Sequence, residues 1–185
     1  MAEDKDLSSG TLVIGLGRFG SAVALTLEKL GYEVLAVEKD SRRVQQFSGR
    51  IPVVEADASS MEALNQLGAR DFHSAVVGIG SSLEASVLIT ANLVDLGMTN
   101  IWAKAISREH SRILRRIGAH HVVAPEFDAG QRTAHLVGGR MIDYIEMDKD
   151  GFAIMKLRPP KEVCGFTLSE LDLRGRYGVN VLGIL

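Results

Sequence analysis

Cysteine is almost absent from this 185-residue sequence, in which Cys164 stands alone. A single thiol excludes an internal disulfide and fits a reducing cytoplasm. Placed beyond Pro159-Pro160, it is expected to be a buried structural residue. Aromatic residues are scarce, 5% of the chain with one tryptophan, so there is no row of stacking platforms for single-stranded nucleic acid. An excess of one charge is lacking too: 21 Lys and Arg face 23 Asp and Glu, a formal net charge of -2. That balance argues against general affinity for DNA or an anionic membrane. No apolar run approaches the ~18 residues of a spanning helix. Met1 to Gly10 is acidic and polar, where a secretory signal is basic and then apolar. The expectation is a cytoplasmic chain with no nucleic-acid partner and no direct membrane insertion, so that any place at a membrane comes through a partner.

What is present begins with Gly15-Leu16-Gly17-Arg18-Phe19-Gly20 behind the apolar run Thr11 to Ile14. From Ser21 to Leu30, Val23, Leu27 and Leu30 recur at helical spacing. A G-x-G-x-x-G turn between a strand and a helix is the context of a dinucleotide-binding fingerprint. Its first glycine permits a tight turn, its second admits a phosphate to bare backbone, and its third lets helix and strand pack closely. The helix N-terminus adds unpaired N–H groups and partial positive charge. Arg18, inside the turn, adds a fixed cation where phosphates lie.

Behind this unit, strand and helix alternate regularly. Strands are expected at 33–37, from Pro52-Val53-Val54, and at 74–79, 100–106 and 121–124; helices at 41–47, 60–67, 83–96, 107–117 and 126–139. With the first strand this makes a six-stranded parallel sheet covered on both faces, a doubly wound Rossmann-like α/β fold with its crevice at the strand C-termini. After Arg140 the rhythm changes to two strands, 141–147 and 152–157, around the turn Asp148-Lys149-Asp150-Gly151. Pro159-Pro160 marks a boundary. A short helix at 168–173 and a strand at 179–185 are expected beyond it. That last strand has no partner in the chain, which suggests a fragment or an end paired with another subunit.

Glu38 lies 18 positions after Gly20 at the end of the second strand. An acid at about that distance accepts hydrogen bonds from a ribose 2′-hydroxyl and repels a 2′-phosphate; the alternative is an acid capping the following turn. Asp57, behind the third strand, borders the adenine position or caps the helix at Ser60. Gly80 in Gly78-Ile79-Gly80 allows a ligand close to backbone, or serves the turn alone. Lys104, near the end of a buried strand, needs a partner for its charge; a phosphate or the Glu126 carboxylate serves equally. Glu126 opens a helix, where the dipole favours an acid. One carboxylate with phosphate oxygens and water suffices for Mg²⁺ but hardly makes a Ca²⁺ cage. His120 and His121 point to opposite faces and make no common metal site. Arg108, Arg112, Arg115 and Arg116 read as a solvated helix face. Leu83, Val87, Ala91 and Val94 form one apolar stripe of the 83–96 helix, and Leu88, Leu93 and Leu96 add apolar surface elsewhere, enough for a second subunit.

The run GLGRFG, AVEKD, EADAS, VVGIGSS, NIWAKAISREH, IGAHHVVAPEFDAG and GRMIDYIEM resembles the nucleotide-binding RCK, or KTN, domain of the TrkA-N type, as in cytoplasmic regulatory subunits of Ktr and Trk potassium-uptake systems. The resemblance implies an N-terminal nucleotide-binding lobe over 11–147, a hairpin and linker over 148–162, and the opening of a small α+β C-terminal lobe over 163–185. It implies ATP or ADP, sometimes NAD(H), as ligand, and a non-catalytic role. It further implies dimers joined into an octameric ring beneath a membrane potassium-translocating subunit, which places the chain peripherally at the inner face of the cell membrane.

By the same resemblance Gly15, Gly17 and Gly20 touch phosphate through backbone, and Arg18 reaches a γ-phosphate, often one in the neighbouring subunit. Phe19 and Lys39 count among the contact positions, Glu38 holds ribose, Asp57 and Ala58 line the adenine, Gly80 borders the crevice, Lys104 lies near the nucleotide, and Glu126 helps hold Mg²⁺ or Ca²⁺. A small NAD-dependent oxidoreductase is the competing class. Only about 45 residues follow the sixth strand, too few for the usual substrate domain, and they hold no evident acid–base pair.

Overall fold

Six short runs rich in Val, Ile, Leu and Ala become strands because both their faces are apolar, as the interior of a parallel sheet demands. In the computed structural model, which describes residues 10–139, 141–147 and 152–184, these are β1 (Thr11–Ile14), β2 (Val34–Glu38), β3 (Val53–Glu55), β4 (Ser74–Val77), β5 (Ile101–Lys104) and β6 (His121–Val123). All pair in parallel, in the order β3-β2-β1-β4-β5-β6. The chain winds outward one way from β1 and the other way from β4. The crevice of such a sheet opens at that switch point, beyond the strands' carboxyl ends.

The connecting helices are α1 (Arg18–Lys29), α2 (Ser41–Phe47), α3 (Met61–Gln66), α4 (Leu83–Asp95), α5 (Arg108–Arg116) and α6 (Pro125–Val137). β1 shows how they sandwich the sheet. Leu12 and Ile14 point into one core with Leu64 of α3, Ile89 and Leu93 of α4 and Leu114 of α5. Val13 points the other way, into a core with Ala24 of α1 and Phe47 of α2. Coverage is unequal toward the far edge. Trp102 on β5 is 39% exposed and stacks on His121 of β6 with ring centroids 4.0 Å apart.

Two expectations change. α1 starts at Arg18, not Ser21, so Arg18, Phe19 and Gly20 form its first turn. On α4 the buried line is Ile89 and Leu93 with Ser86 and Thr90, while Leu83 and Leu88 are exposed; the expected stripe from Leu83 is not the core face. The Thr90 hydroxyl is satisfied there by donating to the Ser86 carbonyl at 2.7 Å within the helix, whereas the Ser86 hydroxyl is buried without a hydrogen-bond partner among the described residues.

The chain divides into two compact units, Met1–Asp128 and Ala129–Leu185. In the second, β7 (Met141–Glu146) and β8 (Ala153–Leu157) form an antiparallel pair; the expected turn at 148–151 lies outside the described residues. Arg132 donates to Asp143 at 2.6 Å, and His135 stacks on Tyr144. The single helix expected at 168–173 is two, α7 (Leu168–Leu171) and α8 (Leu173–Tyr177), divided at Asp172 with φ 44°. Residues 179–184 join no ladder among the described residues, so the strand expected there is not formed, and Val181, Leu182 and Ile184 are exposed. Cys164 is exposed rather than buried, its thiol donating to the Pro160 carbonyl at 3.4 Å.

Candidate functional site

Three glycines bring three backbones together at the end of β1 and β4. Gly15 turns the chain with φ 89°. A Cβ on Gly20 would lie 1.9 Å from the Gly15 carbonyl oxygen, and one on Gly78 would lie 3.1 Å from the Gly20 Cα. Glycine is therefore needed here for close approach. The loop thus delivered to the crevice ends at Gly17, the N-cap of α1, which supplies no side-chain cap; no acid lies in the first turn. The helices that follow differ. Asp40, Ser60, Ser82 and Ser107 each cap α2 to α5 with their own side chains. Only α1 of these five leaves its positive end open to an outside anion.

Glu38 is buried at the tip of β2. One of its oxygens accepts the Leu16 N–H at 2.7 Å. The other accepts the N–H groups of Lys39 at 2.8 Å and Asp40 at 3.0 Å. The carboxylate thus holds the glycine loop against β2 and caps the next turn at once. Arg43 of α2, absent from the sequence expectations, brings a guanidinium nitrogen to 3.7 Å from the oxygen that holds Leu16. A cation five residues after the strand-end acid was the available signal, but only the bend from β2 into α2 makes the two neighbours.

Asp57 does not cap α3; Ser60 does. Its oxygens accept from the N–H and hydroxyl of Ser59 and from Lys39 at 2.5 Å. These bonds, that from Lys39 foremost, lower its pKa from 3.8 to about 2. Ala58 turns into the apolar core, and Phe19 packs beside the core of Val13 and Leu16; neither side chain stands with the polar groups.

On the other side of the switch point, Lys104 ends β5 with its side chain 11% exposed, and it donates to Glu126 at 2.6 Å. Its ammonium would sit 3.2 Å from a Cβ on Gly80, so Gly80 leaves the lysine its room. The bond from Lys104, then the Glu126 backbone N–H, lower the Glu126 pKa, with a further contribution from the Arg18 charge. Lys104, Glu126 and Gly80 therefore share one mouth, near enough to Arg18 for its charge to act on Glu126. Glu126 is the one carboxylate of this group, and no cluster of three His, Cys, Asp or Glu exists among the described residues. Protein side chains alone make no metal cage there.

His110 is buried on α5, its Nδ1 facing the Ile106 N–H at 3.4 Å, and burial lowers its pKa. The four arginines of α5 are exposed as expected, and they also line a groove of about 680 Å³ with Ile106, Phe127 and Glu126.

The family model of the TrkA-N domain matches residues 11–125. The chain belongs to the TrkA-N family. This TrkA-N chain is 36% identical over 174 residues to the Ktr system potassium uptake protein C of Bacillus subtilis, covering 93% of this chain and 78% of that protein. It is 35% identical over 173 residues to the Ktr system potassium uptake protein A of Vibrio alginolyticus, covering 92% and 78%. Among solved structures, the GsuK RCK domain superposes with a TM-score of 0.72 at 19% identity, over 98% of this chain and 40% of that one. The GsuK channel bound to NAD gives 0.69 at 17% identity over 95% and 32%. GsuK bound to ADP gives 0.57 at 19% identity over 62% and 31%. At such identities these structures establish the Rossmann-like fold. No helix among the described residues is long and apolar enough to cross a membrane.

Proposed function

We propose that this TrkA-N chain is a nucleotide-sensing regulatory subunit that gates a membrane potassium channel or transporter. Its ligand is ATP or ADP, with NAD(H) the alternative. The observation that carries the reading is the uncapped first turn of α1, set on a glycine loop that Glu38 holds in place. The uncapped N–H groups of the first turn and a helix dipole, at a crevice edged by Arg18 and Lys104, form a receptor for a di- or triphosphate. The names of the Ktr relatives support the potassium system; GsuK bound to ADP or NAD supports the ligand class.

In this reading residues 11–147 form the nucleotide lobe and 163–185 open a second one. Glu38 meets the ribose, Asp57 the adenine side, and Lys104 the phosphates. Lys104 released to a phosphate would leave Glu126 as the residue that would help hold Mg²⁺, which would supply charge neutralisation beside the phosphates. The chain acts with copies of itself, as dimers in a ring, at the cytoplasmic face of a translocating subunit. Gating energy is the difference in nucleotide affinity between two assembly states. Arg18 and Glu126 distinguish a third phosphate from two.

Calorimetric titration of the chain with ATP, ADP, NAD and NADH, with and without Mg²⁺, tests this. Binding of ATP or ADP is expected, and Arg18→Ala should weaken ATP more than ADP. Equal losses would remove phosphate counting from the proposal; NADH binding with turnover of a hydroxy acid would replace it by an oxidoreductase.

A further inference from the structure

His110 closes the first turn of α5 from the buried side. Ser107 caps the helix by accepting the His110 N–H at 3.1 Å, and the imidazole answers by accepting the Ile106 N–H through Nδ1 at 3.4 Å. Reciprocal caps of this kind are ordinarily completed by Glu or Gln at the third helical position, groups that accept throughout the neutral range. An imidazole accepts through Nδ1 only while that nitrogen is unprotonated, so the ring proton sits on Nε2. Nε2 is buried without a hydrogen-bond partner among the described residues. A second proton would remove the acceptor and put a positive charge at the positive end of the helix dipole, in a place shut off from water. At 3.4 Å the bond to Ile106 is long and readily given up.

The charged groups packed around α5 do not offset that cost. Glu84 and Asp95 of α4 are exposed, Lys104 of β5 is bound to Glu126 of α6, and Asp128 of α6 is exposed. His121 of β6 stacks on Trp102, and His120 before it accepts the Ile101 N–H. Glu109 and the four arginines of α5 itself are exposed. Burial lowers the pKa of His110. What the bond holds is an edge of the crevice. A Cβ on Gly80 would lie 3.2 Å from the Lys104 Nζ and 3.3 Å from the Ile106 Cγ2, so the turn from β5 into α5 sets both side chains against Gly80. Ala105, between them, is anchored to β6 by its N–H to the Val123 carbonyl at 2.8 Å. The next N–H along the chain is that of Ile106, and His110 takes it.

Resting on the nucleotide reading above, we infer that His110 is a positioning residue that makes nucleotide binding depend on pH. Neutral, it holds the turn that sets Lys104 and Ile106 at the crevice; protonated, it lets that turn go. Acidification then weakens binding from behind the site, through a group that does not touch the ligand. A proton excluded from the bound form weakens binding by up to about tenfold for each pH unit below the pKa of the free protein. Because that pKa lies below the ordinary 6.5, affinity is full above neutrality and falls as the pH drops through the free protein's pKa.

The test is calorimetric binding of ADP to the full-length wild type and to His110→Gln, at about pH 7.5 and about pH 5.5, with circular dichroism at each pH to follow folding. Glutamine keeps an acceptor at the third helical position and does not titrate. Protonation of ADP itself is common to both chains, so the difference between their pH profiles belongs to His110. The wild type should lose at least about threefold more affinity than His110→Gln between the two pH values, while the two chains bind alike at the higher one. A second measurement needs no variant. The ring titration of His110 in the wild type, followed by NMR, should move to lower pH when ADP is bound, because a proton that weakens binding is itself bound less tightly by the complex. This arm decides the matter if His110→Gln fails to fold. Parallel pH profiles, or a His110 titration that ADP leaves in place, overturn the role of His110 and leave the nucleotide reading intact. A wild-type chain that binds no ADP at the higher pH overturns both.

Discussion

Replacing Gly20 by alanine measures how much of this fold depends on the close approach at the end of β1. The new methyl would lie 1.9 Å from the Gly15 carbonyl oxygen. The oxygen is backbone and a Cβ is fixed by its own backbone, so no rotamer relieves the clash, and α1 must move by about 1 Å relative to the loop to reach even a tight 3.0 Å contact. Gly78 packs against the same two residues, a Cβ on it lying 3.1 Å from the Gly20 Cα and 3.2 Å from the Gly15 carbonyl oxygen, and limits that movement. Overpacking of this kind costs about 3 kcal/mol when neither partner yields, and alanine returns about 1 kcal/mol through better helix propensity. The net loss of about 2 kcal/mol corresponds to a fall in Tm of roughly 4–8 °C for a chain of this length. Gly130 in α6 is the internal control: a Cβ there meets nothing within 4 Å, so Gly130→Ala should raise Tm slightly. Thermal unfolding followed by circular dichroism reads both variants, and calorimetry should show ADP affinity reduced in Gly20→Ala alone. A Gly20→Ala chain that melts within about 1 °C of wild type and binds ADP normally would refute the reasoning from close approach.

Two further predictions concern the ion pairs. Lys104 is buried and Glu126 is 60% exposed, so Glu126→Gln strands a buried ammonium and should cost about 1–3 kcal/mol. Lys104→Met returns a carboxylate to water and should cost at most about 1 kcal/mol; urea midpoints in the opposite order would refute this asymmetry. Asp57, with its folded pKa of about 2 below the ordinary 3.8, contributes stability that is present above about pH 4 and lost as pH falls through 2. Because its side chain is 42% exposed, Asp57→Asn should cost about 1 kcal/mol or less at neutral pH, a difference that closes toward pH 2; a gap independent of pH would exclude the titration.

The parts of this fold written locally were legible in the sequence. Ser41–Phe47 forms a helix as expected because Asp40 caps it and Gly49 follows it. β1 was plain from four residues whose neighbours on both faces had to be apolar. The glycine loop and the distance to Glu38 announced the crevice, because turn geometry and strand length are set by nearby residues. What depended on packing was hidden. On α4, whose leucines fall on more than one face, no period separates Leu83, which is exposed, from Leu93, which is buried. The apolar run after Val179 has the composition of a strand, but a strand exists only where an edge receives it. Arg43 lies in a run of charges, and its partner comes from an approach that no spacing along the chain encodes.

The open N-terminus of α1 also ties the lifetime of the protein to its surroundings. Four helices of the sheet close their first turns with their own side chains, whereas the N-cap of α1 supplies no side chain. An anion that binds only the folded loop adds about 2.7 kcal/mol to stability at a hundred times its Kd. That margin changes the unfolded fraction open to proteolysis by about a hundredfold. The abundance of this chain in a starved cell would then follow the pool of its own ligand.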